Sequence, residues 1–494
     1  MRFASHILCA IVSTLAALTI SVRAAAARQP NIIVILSDDQ GYGDVGFNGC
    51  GDIPTPALDS IAANGVRFTD GYVTAPQCGP SRAGLISGRY QNEFGREQNQ
   101  YLDAFGMPDG VRFFSEYMKE LGYATGAVGK WHLSAEPLRS ERTDTPNERG
   151  FDYFYGHLTG GTLYLPHGER ESIPYLWRND EPVKETRYLT HVFGDEASAF
   201  IDRNADRPFF LYLAFNAPHT PLQAPKDYLE RFAHLASPDD EPVHCGYTDR
   251  MIEHPRQVYA AMVAAMDDAV GGVLATLRRN GLEEDTLVFF LSDNGGPTGS
   301  TRANNEPLRG VKGDTLEGGI RVPFALQWPG TVPAGQVVET PVISLDLLPT
   351  ALAAAGAQDA VAPELDGRNL LPLVTGAEQW EPRTLHWRFP HPPARPEYHV
   401  WAIRRGEWKI TKEWLRGSAR HGDNHARTGL YRLDRDIDES EDLKDANPER
   451  YAELLQTYER WDATLPPRLT MTKKETLMFG REHPELRDAV TPWE

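Results

Sequence analysis

Four short runs of almost unbroken apolar residues constrain the fold of this 494-residue chain more than any other feature. They are residues 31–36 (NIIVIL), 123–128 (YATGAV), 208–215 (PFFLYLAF) and 286–291 (TLVFFL), each read as bounded by turn residues and rich in Val, Ile or Phe. A half-buried strand alternates apolar and polar residues. Runs that do not alternate predict strands covered on both faces, as in a parallel sheet between helical layers. Between the last two runs, Val258, Met262, Met266, Val270, Val273 and Leu277 recur at helical spacing. They predict the core face of a crossover helix. Strands alternating with helices predict a doubly wound α/β fold, its mostly parallel sheet flanked by helices.

Polar groups follow each run. Asp38 and Asp39 follow the first, Lys130 and His132 the second, His219 the third, and Asp293 and Asn294 the fourth. Any one of these alone is an ordinary solvated loop. In open parallel sheets, however, ligands bind at the carboxyl ends of the strands, so four strands delivering polar groups to that edge predict one site.

Beyond residue 380 the pattern changes. Short pieces (TLHWRF, HVWAIRR, EWKITK, GLYRL) predict a small antiparallel sheet, with a charged helix around 449–461 packed on it. This gives a smaller C-terminal α+β domain, joined through a closing loop near 362–375; the polar segment after Pro466 reads as a strap. The first 27 residues read as a signal peptide: Arg2 leads, residues 7–22 are apolar, and Ala24-Ala25-Ala26 offers a cleavage site. Ser13, Thr14 and Ser21 interrupt that run, which argues against a membrane anchor. The expected division is leader 1–27, catalytic α/β domain 28–378 and C-terminal subdomain 379–494, in a periplasmic or secreted protein. No later segment reads as a membrane span. The net charge of −19 argues against nucleic-acid or anionic-membrane binding. Cys9 falls in the leader, and Cys50, Cys78 and Cys245 are too few for a disulfide framework; pairing of Cys50 with Cys245 stays open.

Residues 78–89 read CGPSRAGLISGR. Pro80 and the residues after it predict a helix start, with Cys78 just before an N-terminus that favours negative charge. The string resembles the signature of the formylglycine-dependent sulfatases, arylsulfatase-like members of the alkaline phosphatase superfamily. The resemblance continues through NIIVILSDDQGYGD, GYATGAVGKWHL, APHTP, SDNGG, LRGVKGDTLEGGIRVP, SLDLLPT, LDGRNLLPLVTG and GLYRLDRDIDESEDL. It implies a sulfuric ester hydrolase in which a maturation enzyme converts Cys78 to formylglycine.

Asp38, Asp39, Asp293 and Asn294 are hard oxygen donors, a set suited to Ca²⁺ or Mg²⁺ and poorly to Zn²⁺. The resemblance places them, with residue 78, on one divalent cation per chain, usually Ca²⁺ and with Mg²⁺ as the alternative. Arg82, Lys130 and Lys312 suit an anionic group whose charge grows as the S–O bond breaks. By resemblance, Lys130 and His132 orient or deprotonate the hydrated formylglycine. His219 and Lys312 contact the sulfate, and one of them protonates the leaving oxygen. The implied substrate is a sulfated saccharide, for which aromatic residues in 155–177 and 386–401 offer stacking faces, with core packing the equal alternative. Two other readings stand beside this one. A phosphonate monoester or phosphodiester hydrolase would use the same fold, and a binding protein with a decayed site is disfavoured because every expected position is filled.

Overall fold

Successive side chains of a strand point to opposite faces, so a strand apolar throughout needs a helical layer on each side. The structure, a computed structural model, describes residues 29–135, 144–166, 172–244, 251–357, 363–390, 399–415 and 425–467. Its large sheet contains β1 (Asn31–Ser37), β2 (Val66–Phe68), β3 (Ala124–Lys130), β4 (Tyr153–His157), β5 (Ile173–Arg178), β6 (Glu181–Glu185), β7 (Phe209–Ala214), β8 (Thr286–Ser292), β9 (Phe324–Gln327) and β10 (Gln336–Val338). The spatial order is β10-β2-β9-β8-β1-β7-β3-β4-β5-β6. The four strands read from the sequence are β1, β3, β7 and β8; they lie side by side, parallel and buried at every residue. β4 continues the parallel set, and β9 and β5 add antiparallel flanks.

The helices that cover this sheet are α1 (Pro56–Ala63), α2 (Cys78–Ser87), α3 (Asn99–Phe105), α4 (Phe114–Glu120), α5 (Leu189–Arg203), α6 (Pro255–Arg279) and α7 (Leu347–Ala354). Ile33 and Ile35 of β1 pack with Leu211, Leu213, Val288 and Phe290 beneath α1, α5 and α6. Ile32, Val34 and Leu36 face the other way, with Phe210, Tyr212 and Phe289, toward α2, α4 and α7. The odd and even residues of one run thus build two separate cores. The stripe on α6 is buried as expected from Met262 to Leu277, with Val258 half-buried at its start.

A second sheet is antiparallel, in the order of β11 (Thr384–Pro390), β12 (His399–Arg405), β13 (Trp408–Leu415) and β14 (His425–Arg432). The last helix, α8 (Pro448–Asp462), packs on it through Leu454 and through Tyr458, whose ring stacks on Trp401 at 4.1 Å.

Three expectations need correction. Helix α2 includes Cys78 as its first residue instead of starting after it. Pro80 then stands third, where a helical N–H has no intrahelical acceptor to lose. Helix α6, with 25 residues, is long and apolar enough to cross a membrane, contrary to the sequence reading. It is the core helix of its layer, and most of its apolar stretch is buried within the protein. The closing loop contains one helical turn, Leu371–Val374. The leader (1–27), Cys245 and most of the C-terminal strap lie outside the described residues; Cys50 donates its thiol to Asp52 at 3.2 Å.

Candidate active site

Register brings the acidic pairs together. β1 and β8 are parallel, with Ser37 beside Ser292, so the residues that follow emerge side by side. Carboxylate oxygens of Asp38, Asp39 and Asp293 all lie within 4.8 Å of one another. Asn294 donates its amide to Asp39 Oδ1 at 2.7 Å. Asp39 (φ 65°) and His132 (φ 60°) occupy the left-handed region, at a cost of order 1 kcal/mol each for a non-glycine residue.

Three cations balance the three carboxylates. Arg82 is wholly buried and places its guanidinium 2.9 Å from Asp293 and 3.4 Å from Asp38. Lys130, from the end of β3, pairs with Asp38. Lys312 Nζ lies 2.7 Å from Asp39 Oδ1 and 3.7 Å from the sulfur of Cys78. Burial pushes Asp38 up to about 6 against the pull of Lys130 and Arg82. Burial and the neighbouring Asp38 also raise Asp293. Asp39 is held at about 2, because Lys312 and His219 outweigh its desolvation.

This cluster suits a hard divalent cation. All its donors are oxygens, and Asp38 Oδ1 and Asn294 Oδ1 are buried without a hydrogen-bond partner. A buried acceptor with no donor is costly, and a cation among these oxygens would satisfy both.

Cys78 sits at the amino end of α2, 1% exposed. Burial raises its thiol pKa, but Lys130 and Lys312 more than reverse this and lower it overall. Ligand atoms of Asp38, Cys78 and His219 also lie within 4.8 Å of one another. His219 Nε2 stands 3.6 Å from Asp39, and its Nδ1 is 2.6 Å from the carbonyl of Thr220. His132 is buried with Nε2 3.7 Å from Asp103, while Nδ1 has no hydrogen-bond partner. Burial drives both imidazoles down, His219 to about 4 and His132 well below the ordinary imidazole value. These contacts join Asp38, Asp39, Cys78, Arg82, Lys130, His219, Asp293, Asn294 and Lys312, whereas His132 contacts Asp103 instead.

The sequence reading missed four neighbours. Asn99, the first residue of α3, holds the Gly79 N–H at 2.9 Å and puts its amide 3.6 Å from the sulfur of Cys78. Asp103 faces His132, and a Cβ on Gly160 would come within 2.7 Å of the His132 ring. His157 ends β4 beside Lys130 and is fully buried, with Nε2 lacking a hydrogen-bond partner. Of these only His157 left a signal: YFYGH is a short run ending in a polar group, like the four that were recognised.

Of the aromatic stacking faces, Tyr175 is exposed and Trp177 half-buried, while others are taken up by packing. Tyr155, Tyr164 and Trp387 are core residues, His386 stacks on Trp461 at 4.7 Å, and Trp401 lies on Tyr458. Apolar area makes an aromatic ring equally fit for a core or a sugar, so residue type could not decide. Residues 167–171 and 391–398 of those stretches lie outside the described residues.

Comparison with known proteins agrees with this geometry. The family described as Sulfatase matches residues 30–357, and the family described as N-sulphoglucosamine sulphohydrolase, C-terminal, matches residues 313–458. Steryl-sulfatase of Rattus norvegicus is 32% identical over 434 residues, 71% of this chain and 71% of that protein. N-acetylgalactosamine-6-sulfatase of Canis lupus familiaris is 33% identical over 393 residues, 74% of this chain and 70% of that protein. The solved structure of Ps i-CgsB in complex with k-i-k-neocarrahexaose matches with a TM-score of 0.78 and 35% identity, covering 93% of this chain and 98% of that one. The chain belongs to the sulfatase family and hydrolyses sulfate esters.

Proposed function

We propose that this sulfatase is an exported enzyme acting on a sulfated carbohydrate, with residue 78 matured to formylglycine beside one divalent cation, Ca²⁺ before Mg²⁺. The observation that carries the reading is the meeting of Cys78, three carboxylates and three cations at one buried point. The carbohydrate assignment is supported by relatives: one is named for a sulfated amino sugar, and another was solved with an oligosaccharide. Export is supported by the leader pattern of residues 2–26. In the same reading, 1–27 is the leader, 28–378 the catalytic domain and 379–494 the C-terminal subdomain.

Asp38, Asp39, Asp293 and Asn294 would hold the cation, which would supply Lewis-acid polarisation of a sulfate oxygen. A formylglycine hydrate at residue 78 would supply two geminal hydroxyls, one as the nucleophile that displaces the alcohol from sulfur, the other to lose the proton that returns the aldehyde as sulfate leaves. A maturation enzyme makes it from Cys78 with an external oxidant, replacing the thiol sulfur by an aldehyde oxygen.

The chain's own residues supply charge and proton handling. Lys312, next to the sulfur of Cys78, offsets negative charge on the sulfuryl oxygens, where charge builds in the transition state. Lys130 is tied to Asp38 and orients residue 78, while Arg82 neutralises Asp293. His132, neutral and buried, accepts the proton of the second hydroxyl. His219, beside Asp39, faces the arriving anion as a neutral ring, and Lys312, which its carboxylate neighbours keep protonated, hands a proton to the leaving oxygen.

The test is a desulfation screen over defined sulfated oligosaccharides, with phosphate diesters as a control arm and peptide mass spectrometry across residue 78. Release of sulfate from at least one saccharide, together with the mass of an aldehyde at residue 78, is expected. Turnover by protein bearing an intact thiol would overturn the formylglycine assignment, and preference for the diesters would overturn the substrate class.

A further inference from the structure

Lys312 lies in a tight loop whose two ends are tied by the hydrogen bond from Gly318 N–H to the carbonyl of Arg309, at 2.7 Å. Gly313 N–H donates to the carbonyl of Pro76 at 2.8 Å and Asn305 to that of Gly310 at 3.0 Å, and the second sheet supplies a further set of ties. On β13 alternate residues share a face, and Lys409, Thr411 and Glu413 form one such row, all buried. Each meets the loop in turn. Lys409 pairs with Glu317 at 2.8 Å, Thr411 Oγ1 lies 3.2 Å from Thr315 Oγ1, and Glu413 accepts from Arg309 at 2.8 Å. Arg309 also donates to the carbonyls of Asp438 (3.0 Å) and Glu439 (2.7 Å). The Glu439 carboxylate accepts the N–H of Glu317 at 2.7 Å and pairs with Lys409 at 2.9 Å. The motifs LRGVKGDTLEGGIRVP and GLYRLDRDIDESEDL, whose Glu317 and Glu439 have no place in the chemistry above, meet here.

We propose that this face of β13 is part of the machinery of sulfate-ester cleavage: it sets the position of Lys312 against residue 78, with Arg309 as the positioning residue. The proposal rests on the reading of Lys312 as the cation facing the sulfuryl group. A Lys side chain on a glycine-rich loop has many rotamers and a mobile base, and a charge displaced by about 1 Å from a reacting centre loses much of its effect. Fixing both ends of the loop on a buried strand removes that freedom. Arg309 is the most accessible of these contacts, its side chain one-third exposed (33%), so its replacement leaves the buried row intact.

The test is a double-mutant cycle on the matured enzyme with 4-nitrophenyl sulfate, using Arg309→Met, Arg309→Lys, Lys312→Ala and the double variant Arg309→Met/Lys312→Ala. Arg309→Met is expected to lower kcat about tenfold or more, with Arg309→Lys recovering part of the loss. In the Lys312→Ala background, Arg309→Met should change kcat less than twofold, because the group it positions is gone. Equal losses in both backgrounds, or no loss from Arg309→Met alone, would overturn the proposal while leaving the role of Lys312 in place. Wild-type turnover by Lys312→Ala would overturn that role and the proposal with it.

Discussion

The ammonium of Lys312 stands 3.7 Å from the sulfur of Cys78, although 234 residues separate the two in the chain. It is also bound to Asp39, so one side chain joins the nucleophile position to the acidic cluster. Under the proposed function, replacing Cys78 by Ala removes the precursor of the nucleophile and little else. Turnover should fall by at least about 10⁴-fold, while thermal unfolding moves by no more than ~1 kcal/mol of stability. Residual activity within a hundredfold of the parent would contradict the assignment of residue 78.

The proposed divalent ion should stabilise the fold as well as support activity. Three carboxylates crowd within 4.8 Å, and a ligand that binds only the folded state stabilises it by mass action. Dialysis against a chelator is expected to abolish turnover and lower the melting temperature, with both restored by Ca²⁺. Asp293→Asn should show the same pair of effects without chelator. Full activity in chelator would rule out the ion.

Gly160 leaves room for the ring of His132, since an added Cβ would come within 2.7 Å of it. Gly160→Ala should push the imidazole aside and reduce kcat by about ten- to a hundredfold. Far-ultraviolet circular dichroism should be unchanged. Unaltered kcat would mean that His132 has no part in the rate-limiting step.

Lys409 is buried between two buried carboxylates, Glu317 and Glu439. Despite burial, Lys409 and Arg321 hold Glu317 at about 2, while burial and the charge of Glu317 push Glu439 up to about 7. Lys409→Met leaves those acids without their shared partner and should destabilise the protein by about 3–5 kcal/mol. Denaturant titration measures this, and a change below 1 kcal/mol would show that the triad contributes no net stability.

His386 carries a pH signature. Burial drives its pKa from 6.5 to about 4, and its ring lies against Trp461 of α8. The folded state therefore favours the neutral ring. Its contribution is intact above pH 6.5 and is lost as pH falls toward 4, where the unfolded chain binds a proton that the folded one refuses. The full swing is about 3 kcal/mol. His386→Phe should flatten the fall of melting temperature between pH 6.5 and 4; an identical slope in parent and variant would exclude the residue.

Much of the large sheet was legible because its central strands are buried on both faces, which leaves an unbroken apolar record in NIIVIL and TLVFFL. The acidic pairs were legible because they follow those strands directly. Strands β2 and β10, of three residues each, carry too few side chains to show a period. Asn99 reaches Cys78 from the first turn of a separate helix, and that approach depends on how α3 packs against α2, which no local pattern records. Asp103 faces His132 from the same helix for the same reason. Tyr155 and Trp387 show the opposite failure: their residue type was clear and the side they face was not.

Asp39 and Asn294 are 255 residues apart, yet their contact is dictated by the alignment of Ser37 with Ser292. One extra residue in either strand would displace an acid by about 3.3 Å and turn its neighbour to the opposite face. The stretch between them tolerates lengthening or shortening at its surface turns, whereas the few residues leading to each acid admit no insertion at all. Grafting a new recognition loop onto this enzyme should therefore avoid the residues just before those two bends, and equally those leading to Cys78, Lys130, His219 and Lys312.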